Sequence, residues 1–424
     1  MQRLTIWLKL LLLLFPFTVR AQTWDLQQLY DSAVLHYPLL QQRSVLDNIN
    51  NLINSNLNKA YLPQLTLNAQ ASYQSDVTRL NINFPVPGGA NIEPLSKDQY
   101  RITADVSQLI YDGGITQQQQ QLQQLATNAE QQKITVELYK LKERIAATVL
   151  SIMFIDEQLA QTKLLQEDLQ IGVQRVKAQI EQGVALTSNL NILKAEILKV
   201  TQRSIELQSN RDALLAILGI FTQQQFNSNS KFTIHQTITL SDADNQRPEL
   251  VLFQQQQILT AKQSAIIKAK NLPKLSAFVQ GGYGLPGLNM LQNQFAWFGI
   301  TGLRMQWQLN NLYTKKKELS IVAQQQQSVM IQKEIFLQNN AIQQQQYKAE
   351  LSKYQSLLQT DEAIITLRKQ ITAAAKAQLE NGVITANDYL REVNAEDQAR
   401  QLQLTHKIQL LQAQINWSLS NGNF

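Results

Sequence analysis

Residues 64–73 alternate strictly between apolar and polar positions. Leu65, Leu67, Ala69, Ala71 and Tyr73 share one side, while Thr66, Asn68, Gln70 and Ser72 share the other, which is the period of two expected of a strand. Residues 100–107 repeat the pattern, with Tyr100, Ile102, Ala104 and Val106 set against Arg101, Thr103, Asp105 and Ser107. A third alternation covers Leu275–Tyr283, and a fourth covers about 295–309. Elsewhere the period lengthens. Leu138, Leu141, Ile145, Val149, Ile152, Ile155 and Leu159 advance 21 residues in six steps, a coiled-coil seam. Proline is absent from 117 to 175, and Gly172 is the single glycine there. The pattern therefore predicts one helix between Gly114 and Gly183, roughly 100 Å long at about 1.5 Å per residue. Residues 315–380 form its counterpart in the second half.

These elements occur twice. Residues 60–74, AYLPQLTLNAQASYQ, return in altered form as residues 270–284, KNLPKLSAFVQGGYG. Leu62, Pro63, Leu65, Gln70 and Tyr73 match Leu272, Pro273, Leu275, Gln280 and Tyr283 at a constant offset of 210. The expected organisation is a signal peptide at 1–21, a first repeat at 22–221, a linker at 222–246 and a second repeat at 247–424. Each repeat holds a strand pair, about 64–74 with 100–110 and about 274–284 with 295–309. Loops rich in Pro and Gly join them, through Pro85, Pro87, Gly88, Gly89 and Pro94 in the first repeat and Pro286 and Gly287 in the second.

The strands are close to the roughly 9–11 residues that a tilted transmembrane strand needs. Trp297 and Trp307 fall on one face of the fourth strand. Their separation is about 33 Å along a strand, or about 24 Å across a membrane at about 45° tilt. Two aromatic girdles would bracket an apolar band of that height, and Tyr73, Tyr100 and Tyr283 would join them. Arg304, Gln306 and Gln308 take the opposite face, as a wet lumen would require. A soluble sandwich with one buried face would alternate in the same way. Four strands do not close a barrel, for which about eight is the small limit, so a barrel must be shared among copies.

Composition narrows the class. Arg3, an apolar stretch from Ile6 to Val19 and the small residues ending at Ala21 read as a secretory signal cleaved before Gln22. Without it the net charge falls from +6 to +3, because Arg3, Lys9 and Arg20 leave with no acid. That mild excess is no nucleic-acid footprint. There is no cysteine, hence no disulfide. Glutamine runs at 117–121, 254–257, 324–327 and 343–346 sit inside apolar periodicity and read as solvated helix faces. His36, His235 and His406 are isolated in sequence, and no HExxH, P-loop, GxGxxG or GxSxG is present. The expectation is no enzyme, no cofactor and no metal.

Further short motifs complete the pattern. Trp24-Asp25-Leu26, Tyr37-Pro38 and Ala60-Tyr61-Leu62-Pro63 come first, then Tyr111-Asp112-Gly113-Gly114 and Arg247-Pro248-Glu249-Leu250, with turns beginning at Gly183 and Gly382. Taken in order and duplicated, they make the chain resemble the TolC-like outer membrane efflux channels over essentially its whole mature length. The resemblance implies a mostly α chain with a membrane β-barrel portion, working as a homotrimer. Three chains would build a 12-stranded barrel in outer-membrane lipid and a long coiled-coil α-barrel extending into the periplasm. The 222–246 linker would be an irregular equatorial region. The implied function is a passive exit duct of a tripartite efflux or type I secretion system, with a periplasmic adaptor and an inner-membrane pump as partners. A periplasmic coiled-coil scaffold without a pore is the competing class, and girdle-spaced tryptophans argue against it.

The resemblance also places site residues. Asp388 falls at a periplasmic gate, where a ring of three carboxylates would repel itself and favour opening. An ordinary first-turn helix residue is the other reading. Arg391 stands where some members carry a second acid, and Asn189 is the first-half equivalent of Asp388. Gly183 and Gly382 would form tight turns at tips that dock the adaptor, with Thr187, Ser188 and Thr385 as contacts. Lys315, Lys316 and Lys317 oppose a helix dipole where they stand, so lipid phosphate or plain solvation accounts for them. Which cargo passes is not written in these residues.

Overall fold

The computed structural model describes residues 23–78, 94–234 and 245–422. The expected signal peptide, most of the first hairpin loop and part of the 222–246 linker lie outside them. In chain order the elements are β1 (Thr23–Asp25), α1 (Leu26–His36), α2 (Gln41–Asn58), β2 (Gln64–Tyr73), β3 (Asp98–Tyr111), α3 (Ile115–Glu181) and α4 (Thr187–Thr222). Then follow β4 (Lys231–Thr233), α5 (Pro248–Lys270), β5 (Lys274–Leu285), β6 (Ala296–Gln306), α6 (Asn311–Glu380) and α7 (Ala386–Asn421). The molecule is mostly helical. Contacts divide it into two compact units, each drawn from both repeats.

One unit, residues 43–133 and 251–334, holds the larger sheet. Its strand order is β2-β3-β5-β6, antiparallel throughout. Within the chain the sheet is open, with β2 and β6 as its edges. The register sorts side chains by face. Leu65, Val106 and Val279 share one row; Ala69, Ile102, Tyr283 and Trp297 share another. Leu67, Ile102, Trp297, Leu303 and Met305 on that face are exposed, Trp297 by 82%. An apolar sheet face this open is unusual for a chain that stays in water. β6 stops at Gln306, short of the expected 309, because its partner β5 begins at Lys274 opposite that residue. Trp307 therefore lies past the ladder, where its indole N–H donates to the Asn271 carbonyl at 3.0 Å.

The helices of this unit give the first glutamine run partners at its solvated face. Gln120 donates to Asn58 at 2.7 Å, Gln124 accepts from Asn50 at 2.8 Å, and Lys262 donates to Gln121. These amides bridge α3 to α2 and to α5 from solvated positions, Gln124 standing just past the run. Amides can do this because each is both donor and acceptor. The α3 start is closed by Asp112, whose carboxylate accepts from Gly114 and Thr116 N–H, each at 2.8 Å.

The other unit comprises residues up to 42, 134–250 and from 335 onward. Its core is the coiled-coil seam. Leu138, Leu141, Ile145, Val149, Ile152 and Ile155 are all buried, and Leu141, Ile145, Val149 and Ile152 cluster with Leu29, Leu218, Ile415 and Leu419. Each such side chain contributes about 1.5–3 kcal/mol. The linker is less irregular than expected. β4 pairs in parallel with β1, aligning Trp24 with Phe232, and Phe226 packs edge-on against Trp24 at 5.3 Å. Arg211, buried, secures this segment by donating to the Ser228 and Ser230 carbonyls at 3.0 and 2.9 Å while pairing with Asp156. His406 is not isolated either: its Nδ1 lies 2.7 Å from Asp361.

Candidate functional site

The two turns at the far ends of α3 and α6 have one construction. At the first, Gly183 N–H donates to Ile180 O at 3.0 Å and Val184 N–H to Gln179 O at 2.9 Å. At the second, Gly382 N–H donates to Leu379 O at 3.1 Å and Val383 N–H to Gln378 O at 2.8 Å. Both are Schellman closures, with the glycines at φ +70° and +71°. Such a closure usually packs its last residue on the helix, but here that site is Gln179 or Gln378. Val184 and Val383 stand 70% exposed, with Leu186 beside them at 71%. Sequence reasoning passed over these three apolar residues. Thr187, Ser188 and Thr385 are also exposed.

After the turns the helices start differently. Thr385 caps α7 in a reciprocal capping box: its Oγ1 accepts from Asp388 N–H at 3.2 Å, and its own N–H donates to Asp388 Oδ2 at 3.3 Å. The Thr385 hydroxyl also donates to the same carboxylate oxygen at 2.7 Å. These bonds, followed by the charge of Arg391, hold the Asp388 carboxyl below the usual carboxylate range. Arg391 lies 3.8 Å from Asp388 but donates its Nε–H to Glu392 at 3.1 Å. Asn189 occupies the third position of α4, where Leu186 offers no capping side chain. Asp388 thus closes a helix and also carries a charge at the turn.

Behind the turns the four helices are joined by one apolar cluster, including Leu169, Val176, Leu193, Val200, Leu379, Tyr389 and Val393. Ion pairs cross its surface: Arg203 with Asp397 at 3.0 Å, Arg368 with Glu392 at 3.3 Å, and Arg175 with Glu380.

On the sheet, the expected aromatic positions group at one end. Tyr283 stacks on Phe295 at 5.4 Å and meets Trp297 at 5.0 Å, and Tyr100 stacks on Phe295 at 6.3 Å. Phe295 falls inside the expected fourth strand but not among its girdle aromatics; the strand itself begins one residue later, at Ala296. Tyr73, 69% exposed, ends β2 on the same face. Trp307 belongs to the other end, where Tyr313 is also exposed. Lys315, Lys316 and Lys317 lie inside α6, which starts at Asn311, so they stand a turn past the helix start rather than at it.

The same arrangement of strands and long helices recurs in solved structures. CusC, whose structures concern transmembrane channel formation, superposes with a TM-score of 0.70 at 13% identity, over 96% of each chain. The outer-membrane channel OprN gives 0.68 at 12% identity, over 94% of this chain and 90% of its own. The Campylobacter jejuni CmeC outer membrane channel gives 0.64 at 14%, over 94% and 86%. This is the fold of the outer-membrane channels. It is also the fold that the TolC-like resemblance implied. No protein-family model matches the sequence, and no curated protein does so either. Among the described residues no helix is long and apolar enough to cross a membrane, which says nothing about strands.

Proposed function

We propose that the chain is an outer-membrane exit duct, passively exporting solutes or polypeptides while an inner-membrane pump supplies the energy. The observation that carries this reading is the four-stranded sheet, apolar and exposed on one face, polar on the other, and open at β2 and β6. In lipid an open edge leaves backbone groups unpaired, so a spanning sheet must close. The strands alternate in direction, so β6 of one copy can add to β2 of the next and keep the ladder antiparallel. Three copies would give a homotrimeric barrel of twelve strands. The aromatic rows at Tyr100, Tyr283 and Trp297 and at Trp307 would lie at the two interfaces. Lys315, Lys316 and Lys317 would face the phosphates of the inner leaflet.

The helical tips complete the duct in the periplasm. Val184, Leu186 and Val383 offer apolar contact to an adaptor hairpin, with Thr187, Ser188 and Thr385 as polar neighbours. Asp388, Arg391 and Asn189 would form the narrow gate, each Asp388 partly offset by its own Arg391. The deciding experiment is electron microscopy of the mature protein extracted from outer membranes, followed by conductance in planar bilayers. A trimer with a conducting pore is expected. A water-soluble rod with no membrane fraction would replace the duct with a scaffold.

A further inference from the structure

The polar face of the sheet holds charges that the duct reading leaves without a role. The Arg101 guanidinium stands 5.7 Å from the Phe298 ring, and that of Arg304 stands 4.6 Å from Phe278. Those rings are fixed by the register. Phe298 lies opposite Gly282 and Phe278 opposite Gly302, and a Cβ at Gly282 would overlap the Phe298 ring. Glycine there lets each ring lie down on the neighbouring strand and carry its arginine. Among the described residues neither guanidinium has a carboxylate within 4.0 Å. The one acid of this face among the described residues, Asp105, accepts from Asn68 at 2.8 Å, from Thr103 at 3.1 Å and from Gln280, and it also feels the charge of Arg304, offsetting part of that cation from beyond ion-pair distance. Lys274 adds a third cation on the same side of the ladder.

We infer that this face is an anion-selective wall, built to pass organic oxyanions such as carboxylates, sulfonates or phosphates. The inference rests on the duct reading and names the charge class of its cargo. A guanidinium stacked on a phenyl ring keeps its edge N–H groups free, and those present the planar fork that an oxyanion accepts in two places. The ring beside it offers apolar contact to the organic frame. A barrel wall of low dielectric would focus the field of three such faces onto the lumen.

The test is the reversal potential of the purified protein in planar bilayers under a KCl gradient, with benzenesulfonate then added as a blocking probe. The wild type should favour chloride and be blocked by benzenesulfonate. The double variant Arg101→Gln, Arg304→Gln should move the reversal potential toward or past zero and lose the block. Arg101→Lys with Arg304→Lys, which keeps the charge and weakens the fork, should retain chloride preference and bind benzenesulfonate more weakly. A wild-type pore that prefers potassium overturns the inference and leaves the duct intact. So does a conducting double Gln variant with unchanged selectivity. A wild-type protein that inserts without conducting removes the duct reading and this inference with it.

Discussion

Asp388 shows how one side chain serves local folding and gives a site its charge. Its carboxylate is held by the Thr385 hydroxyl and N–H, so its pKa is depressed. A depressed folded-state pKa means stabilisation that is present above the ordinary aspartate range and lost as pH falls through the lower, folded value. Asp388→Asn should therefore melt below wild type at neutral pH, with the difference closing in acid. A gap that is constant with pH would mean that the ionised carboxylate contributes nothing to the cap. Gly382 makes a separate point. No atom lies within 4 Å of a Cβ built there, so Gly382→Ala meets only the cost of φ +71°. That cost is about 1–2 kcal/mol in thermal or denaturant unfolding, and Gly382→Asn should recover part of it. Both glycines and the Thr-x-x-Asp spacing were legible in the sequence. The exposure of Val184 and Val383 was not, because it depends on which residue sits three positions inside each helix end.

At the scale of elements, the strands were legible because one face is apolar and the other polar over a whole span, and the seam was legible because it repeats at 3.5. Their ends were less so. The alternation around Trp307 continues past the point where β5 offers a partner, so composition alone ran the fourth strand three residues too far. The glutamine runs hid their partners for a related reason. An amide in solvent and an amide bridging two helices look alike in sequence, and only the position of α2 beside α3 separates Gln120 from a solvated residue. The girdle belongs to this scale as well. Trp297 is 82% exposed and meets Tyr283 at 5.0 Å, an aromatic surface that lipid would cover. Replacing Trp297 and Trp307 with Gln should lower the yield of heat-resistant oligomer in the membrane fraction while helicity by circular dichroism stays unchanged. Normal membrane yield would count against lipid contact at these positions.

At the scale of the whole molecule, the proposed duct needs other copies to close its sheet, which a single sequence reveals only by what one chain leaves unpaired. β2 and β6 are separated by two intervening strands, which puts them about 14 Å apart at about 4.8 Å per strand step. A disulfide needs Cα atoms roughly 4.4–6.8 Å apart, so cysteines on these two strands cannot join within one chain. The native chain has no cysteine to interfere. Thr66→Cys combined in turn with Ile300→Cys, Gly302→Cys or Arg304→Cys should locate the register at which neighbouring copies meet. At that register, oxidation in the membrane should give a ladder of bands that ends at the mass of three chains. A ladder running beyond three would describe an open filament of sheets, since a head-to-tail contact closes only if its rotation does. Monomer alone at every register would mean that the edges are covered by something other than a second copy. The polar faces of the strands would then line no common lumen, and both the duct and its anion-selective wall would fall together.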